Sequence, residues 1–111
     1  MTIYEGNTIY HTHGDTLVSH VSMANADRTP YVIQAGDRVV FRLKRNDGEA
    51  PIIEKNIPTD SLILRLESEE TKALGWGVNN GHYKYDLELQ KADGMIDTFV
   101  NMADLYILEE V

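Results

Sequence analysis

The chain contains no cysteine, which excludes disulfides, thiolate catalysis and zinc–thiolate sites and leaves the redox compartment open. Basic residues are scarce. Ten Lys and Arg stand against eighteen Asp and Glu, for a formal net charge of −8. That balance argues against nucleic acid or an anionic membrane as the main partner, because both would repel the protein. No apolar run approaches the ~20 residues of a membrane span. The opening stretch Met1–Asp15 lacks the charged-then-apolar layout of a signal peptide. No serine sits in a Gly-x-Ser-x-Gly setting, and no glycine-rich phosphate loop precedes a helix. Gly75-Trp76-Gly77 is too short for a nucleotide cradle and lacks a lysine. What remains is an ordinary globular mixture, 42% hydrophobic and 25% charged, over 111 residues. That length suits a single domain, 1–111, with one modest core.

The dominant signal is alternation with period two, the mark of half-buried strands. In Arg38–Lys44, Val39, Phe41 and Leu43 point one way while Arg38, Arg42 and Lys44 point the other, with Val40 the exception. Tyr83–Gln90 repeats the pattern with Tyr83, Tyr85, Leu87 and Leu89 on one face, and Leu62–Glu67 repeats it more weakly. These read as antiparallel strands with one wet face. Asn46-Asp47-Gly48, Asn79-Asn80-Gly81 and Asp93-Gly94 supply turns, since such pairs accept positive φ at low cost. Asp93-Gly94 predicts a hairpin joining Tyr83–Lys91 to Met95–Val100, with Leu105–Leu108 returning beside it. Weaker strands are expected at Thr16–Met23 and at Ile52–Ile57, where Pro51 and Pro58 bracket a short edge strand. Thr2–Tyr10 adds an edge strand or, within residues 1–13, a flexible segment.

Only Ser68–Leu74 reads as helical, with Ser68 as cap, Glu69 and Glu70 at the positive end and Gly75 as terminator. Seven or so short strands with one short crossover helix predict an all-β, two-sheet sandwich, with an up-and-down barrel as the structural alternative. The expected core is Leu17, Val21, Val39, Phe41, Leu43, Leu62, Leu64, Leu66, Leu74, Tyr83, Tyr85, Leu87, Leu89, Phe99 and Ile107.

Few constellations carry chemistry. His11-x-His13 followed by Asp15 has metal-ligand residue types, and strand spacing would put both imidazoles on one face. The alternative is a polar turn with no metal, which needs no third and fourth ligand from the distant His20 and His82. Glu69-Glu70, Asp86/Glu88 and Glu109-Glu110 are the carboxylate pairs available for acid–base work. Asp86 and Glu88, on the wet face of one strand, fit a solubilising surface rather than a cleft. Trp76, between two glycines, is either a lid folded over the sandwich end or an exposed anchor for a protein interface or a sugar ring. Tyr4, Tyr10 and Tyr31 are the other aromatic interface or ligand candidates, and an open N-terminal edge strand could pair with a neighbour.

The segment Gly81-His82-Tyr83-Lys84-Tyr85-Asp86-Leu87-Glu88-Leu89, behind a short helix and ahead of the Asp93-Gly94 hairpin and Thr98, is the most distinctive part of the chain. Upstream stand Gly14-Asp15-Thr16-Leu17, the Pro30-Tyr31 connection and the Val39–Leu43 strand. In this order the pieces resemble small immunoglobulin-like β-sandwich domains of bacteriophage and prophage structural proteins, above all the N-terminal domain type of phage baseplate upper proteins, from about Gly14 to Glu110. A tyrosine at the position of Tyr83 fills the core with its ring and returns its hydroxyl to the crossover backbone. The resemblance implies an immunoglobulin-like antiparallel sandwich in a virion. Such a protein is assembled in the bacterial cytoplasm without a signal peptide and works by packing rather than catalysis, with no cofactor. Its expected partners are other tail or baseplate proteins or further copies of itself, with no nucleic acid and no membrane. A carbohydrate-binding module built on Trp76 and neighbouring tyrosines is the alternative. Members of that group often carry this domain ahead of further parts. Here the chain stops at Val111, so a stalk or receptor-binding head is expected on another polypeptide.

Overall fold

The structure, a computed structural model, describes residues 1–46 and 48–109. Asp47 of the expected Asn46-Asp47-Gly48 turn, Glu110 of the Glu109-Glu110 pair and the terminal Val111 lie outside the described residues. Among the described residues eight strands form: β1 (Thr2–Glu5), β2 (Thr8–Thr12), β3 (Leu17–His20), β4 (Arg38–Lys44), β5 (Ile53–Ile57), β6 (Ile63–Leu66), β7 (His82–Gln90) and β8 (Ile96–Leu108). Two short helices, α1 (Ser68–Lys72) and α2 (Gly77–Asn80), lie between β6 and β7. One sheet has the order β1-β2-β8-β7-β4-β5 and the other pairs β3 with β6. The fold is all-β and sandwich-like. With β3 to β8 taken as B, C, C′, E, F and G, the larger sheet holds G-F-C-C′ and the smaller one B-E, the immunoglobulin arrangement.

The N-terminus departs most from expectation. Thr2–Tyr10 is two strands rather than one, reversed at Gly6, whose φ of 59° has the sign that a hairpin with glycine in first loop position requires. β2 then leaves the edge and runs parallel to β8, Ile9 opposite Leu105 and His11 opposite Ile107. The larger sheet is therefore mixed rather than wholly antiparallel. Residues 1–13 thus supply an interior strand as well as an edge one.

The C-terminus differs too. Ile96–Val100 of the expected Met95–Val100 run and Leu105–Leu108 belong to one 13-residue strand, with no reversal between them. Tyr85 faces Ala103 while Leu87 faces Val100, so Asp86 opposes both Asn101 and Met102 in a β-bulge. The Met102 amide, on a residue with φ of 54°, donates to Asp86 Oδ1 at 2.7 Å. A carboxylate on the neighbouring strand absorbs what local pattern presents as a turn. The Asp93-Gly94 hairpin forms, with Gly94 at φ 92° and its amide donating to Lys91 at 2.9 Å.

The core lies between the sheets and holds Leu17, Val21, Val39, Phe41, Leu43, Leu64, Leu66, Leu74, Tyr83, Tyr85, Leu87, Leu89 and Ile107, as expected. Leu62 and Phe99 only pack against it, whereas Ile9, Ile57 and Leu105 join it. Leu62 stands at φ 54° just before β6, and Phe99 is the extra residue at a second register shift of β8, so neither follows its strand's alternation. Val40, the odd member of its strand, is buried on the outer face.

The crossover from β6 to β7 is fixed by caps and close approaches. Glu67, not Ser68, is the N-cap of α1, in a capping box with Glu70. The Ser68 hydroxyl instead donates to the Gly14 carbonyl at 2.6 Å. Asn79 and Asn80 lie within α2 rather than in a tight turn. Gly81 has φ −99°, and its role is spatial: a Cβ there would sit 2.2 Å from the Ile107 carbonyl oxygen. Tyr83, at the start of β7, is buried, and its hydroxyl accepts the Gly75 amide at 2.7 Å. That is the corner expected of a tyrosine near the start of strand F. Tyr83→Phe leaves the Gly75 amide without its partner and should cost about 1–3 kcal/mol. Urea unfolding of the two proteins, compared by midpoint at equal slope, checks this.

Candidate functional site

Tyr10 is the sequence-predicted candidate that the fold builds into an array. β-Sheet alternation sends Ile9 and His11 into the core and Tyr10 to the outer face. There it lies opposite Ile3 of β1 and Tyr106 of β8, and Tyr106 lies opposite His82 of β7. The Tyr10 and Tyr106 rings stack at 5.2 Å and 13°, and those of Tyr106 and His82 at 4.7 Å and 11°. The result is one cross-strand row, Ile3–Tyr10–Tyr106–His82, at the end of the outer face. Glu5 reaches the Tyr10 hydroxyl and raises its pKa above the ordinary value. Gly77 and Val78 of α2 border the row with Leu108 around an open groove, and Val78 is fully exposed. Neither Tyr106 nor Val78 stood out in the sequence. Their role depends on β2 lying against β8, a parallel pairing that joins segments nearly a chain length apart.

Trp76 is 46% exposed. Its indole lies 5.9 Å from the His13 ring at 43°, beside a shallow groove to which Lys72, Arg45 and Asn80 contribute. The tyrosine of that groove is Tyr83, which is buried, and the Arg45 guanidinium lies 4.6 Å over its ring. Arg45 also donates to the Asn80 carbonyl at 2.6 Å. Tyr4 is half-exposed on the inner side of β1, above a cavity of about 210 Å³ that reaches Ile9, Val21 and Tyr85. Tyr31 belongs to neither array. Its hydroxyl donates to Asp37 Oδ2 at 2.5 Å, and this bond pushes the phenol up to about 12 while holding the Asp37 carboxyl low.

The histidines do not converge with Asp15. His11 is fully buried, with Nδ1 2.7 Å from the Thr2 hydroxyl and Nε2 2.8 Å from the Asp15 carbonyl. A carbonyl only accepts, so Nε2 carries the proton and Nδ1 accepts from Thr2. His13 Nε2 donates to the Lys72 carbonyl at 3.0 Å, and the Asp15 carboxylate lies against the Met1 amino group. Among the described residues no group of three His, Asp or Glu side chains could hold a metal ion. The carboxylate pair Asp86/Glu88 is engaged by cations. Lys44 reaches Asp86 at 3.2 Å, and Arg42 bridges Glu88 at 2.8 Å and Glu54 at 2.9 Å. Glu70 pairs with Lys55 at 2.7 Å. Asp104, between Lys84 and His82, is held below the usual carboxylate range by both.

The chain matches no family model, no curated protein and no solved structure. Among the described residues no helix is long and apolar enough to cross a membrane.

The burial of His11 has a pH signature. Burial favours the neutral ring and lowers its pKa from the ordinary 6.5. The unfolded chain therefore takes up the proton first as pH falls below 6.5, and stability drops from there toward the folded-state value. Urea midpoints should fall between pH 7.5 and pH 5.5 in the parent protein, and His11→Gln should flatten that slope.

Proposed function

We propose that the protein is a non-enzymatic structural or assembly component of a phage or prophage particle, a tail or baseplate protein acting through protein–protein contacts. The row Ile3–Tyr10–Tyr106–His82, with Val78 and Leu108 beside it, carries the contact part of this reading. Aromatic side chains supply large contact area at low entropic cost, and they concentrate binding energy where interfaces form. The particle part is supported by the resemblance carried by Gly81–Leu89 within an immunoglobulin-like sandwich. The ion-paired state of Asp86 and Glu88 agrees with packing rather than acid–base chemistry, because carboxylates held by Lys and Arg serve a surface better than a proton transfer.

The second reading, a carbohydrate-binding module, is favoured by one observation, the exposed Trp76 beside a groove with polar neighbours. A sugar platform there would rest on Trp76 alone, since Tyr83 is covered. Titration with cell-wall glycans should leave the Trp76 fluorescence unchanged. A saturable change would move the second reading ahead of the first. The leading reading is tested on particles purified after induction of the source strain. Mass spectrometry should find the protein at a fixed, multiple-copy ratio to the tail proteins. Its absence from intact particles, with the protein abundant in the lysate, would remove the virion-subunit role.

A further inference from the structure

We infer that β1 is a self-pairing edge: two copies of the chain join antiparallel through their β1 strands, with Ile3 on Ile3 at the two-fold axis, into one continuous sheet. This deepens the contact reading above by naming a second copy as occupant, and it stands whether or not the protein resides in a particle.

The hydrogen-bond phase of the hairpin sets which groups are open. The Thr12 amide donates to the Met1 carbonyl at 3.0 Å. Strand pairs alternate between bonded and non-bonded, so Ile3/Tyr10 and Glu5/Thr8 are the other bonded pairs of the register. The backbone N–H and C=O of Thr2 and Tyr4 therefore point away from β2, along the free edge of the larger sheet. Four such groups on each copy have the spacing to receive an extended strand.

The opposite edge of the same sheet is protected by familiar devices. Pro51 and Pro58 bracket β5, and Lys55 points inward to its ion pair with Glu70. β1 has no proline, no lysine and no bulge, and it exposes Ile3 and Tyr4 at 46% and 48%. Its shortness, four residues, is its one restraint, and it makes the contact weak rather than absent.

Charge leaves this approach open to a second copy and selects the register. The chain carries −8, yet Glu5 is the only charged side chain among Lys, Arg, Asp and Glu in residues 1–12. The other carboxylates beside the hairpin are engaged, Asp15 by the Met1 amino group and Asp104 by Lys84 and His82. Pairing centred on Ile3 sets Thr2 opposite Tyr4 of the second copy and satisfies all the open groups. It also separates the two Glu5 residues by four strand positions, about 14 Å, beyond the ~8 Å screening length at physiological salt. Centring on Tyr4 would halve that separation, and centring on Glu5 would oppose the carboxylates directly. In the Ile3-centred register the two isoleucines form a non-bonded pair, the closer kind. The outer rows of Tyr106, Tyr10 and Ile3 then run on from one copy into the other.

Sedimentation equilibrium over a wide concentration range tests this. The weight-average mass should rise with concentration from 12.6 kDa toward twice that value, and amide exchange at Thr2 and Tyr4 should slow in parallel. Tyr4→Pro removes an outward donor while sparing the β1–β2 ladder, and Ile3→Lys opposes two cations at the axis. Each should abolish the rise without shifting the urea midpoint by more than a small fraction. A monomer at every concentration would overturn the inference. So would a dimer that persists in both variants, or one in which the Thr2 and Tyr4 amides exchange at the monomer rate. Because the readout is self-association of the isolated protein, absence from particles would leave this result standing, and a monomer would leave the particle assignment to its own test.

Discussion

The bond from the Gly75 amide to the Tyr83 hydroxyl fixes the passage from the small sheet to the large one, and the rest of the sandwich is arranged around it. A chain without cysteine cannot tie its sheets together covalently, so the link between them must be made by packing and by such bonds. In antibody domains the second cysteine stands two residues after this tyrosine, against a tryptophan on strand C. Tyr85 occupies that place here, and its ring packs on Phe41 of β4 at 5.7 Å. An aromatic pair thus fills the volume that a disulfide and an indole fill elsewhere. The Tyr85 hydroxyl reaches across to the Asn7 carbonyl at 2.5 Å, so the same strand also holds the N-terminal hairpin. Gly75 and Gly81 let the backbone close around the corner. A Cβ on Gly75 would sit 2.3 Å from the Asn80 carbonyl, a contact no side chain tolerates. The exposure of Trp76 and Val78 follows: they ride on a segment whose neighbours on both sides are pinned inward.

Period-two alternation was enough to read β4, β6 and β7 from the sequence, because each has one face on the core and the other in water. The helix and the Asp93-Gly94 hairpin were legible for the same reason, since caps and turns are written locally. Where the reading failed, the deciding partner was distant. β2 looked like loop or edge because Tyr10, His11 and Thr12 are polar or amphipathic. It becomes an interior strand only because β8 lies beside it. β8 looked like two strands because Asn101–Asp104 breaks the alternation, and only a carboxylate on β7 shows that the break is a bulge. The candidate site was half legible on the same terms. Tyr10 was visible as a surplus aromatic, but its stack with Tyr106 and His82 depends on two strand pairings that no local pattern encodes.

His11 shows how a polar residue becomes structural. Spacing offered it as a metal ligand with His13 and Asp15. In the fold its two nitrogens are consumed by the Thr2 hydroxyl and the Asp15 carbonyl, one accepting and one donating, so a neutral ring is fully satisfied inside the core. An apolar residue there would leave the Thr2 hydroxyl to find another partner and the Asp15 carbonyl with the Thr71 hydroxyl alone. The imidazole therefore ties β1 to β2 and both to the turn that leads into β3. The hairpin is anchored from within, which leaves its outer edge free of structural duties.

The distribution of charge sharpens that point. Across β4, β7 and β8 the outer face carries the ion pairs Arg42–Glu88, Lys44–Asp86 and Lys84–Asp104, and such exposed or half-exposed pairs contribute little stability each. Their effect is of another kind. They make that part of the sheet costly for an apolar partner to cover, because docking there would strip water from several charges at once. The acidic surplus of the chain sets copies against one another, least where charged side chains are sparse. Around β1 and β2 there are few charged side chains, with Asp15 paired to the Met1 amino group, a stacked aromatic row and an unpaired backbone edge. A surface that leaves one sparsely charged strand open restricts association by exclusion as much as by attraction.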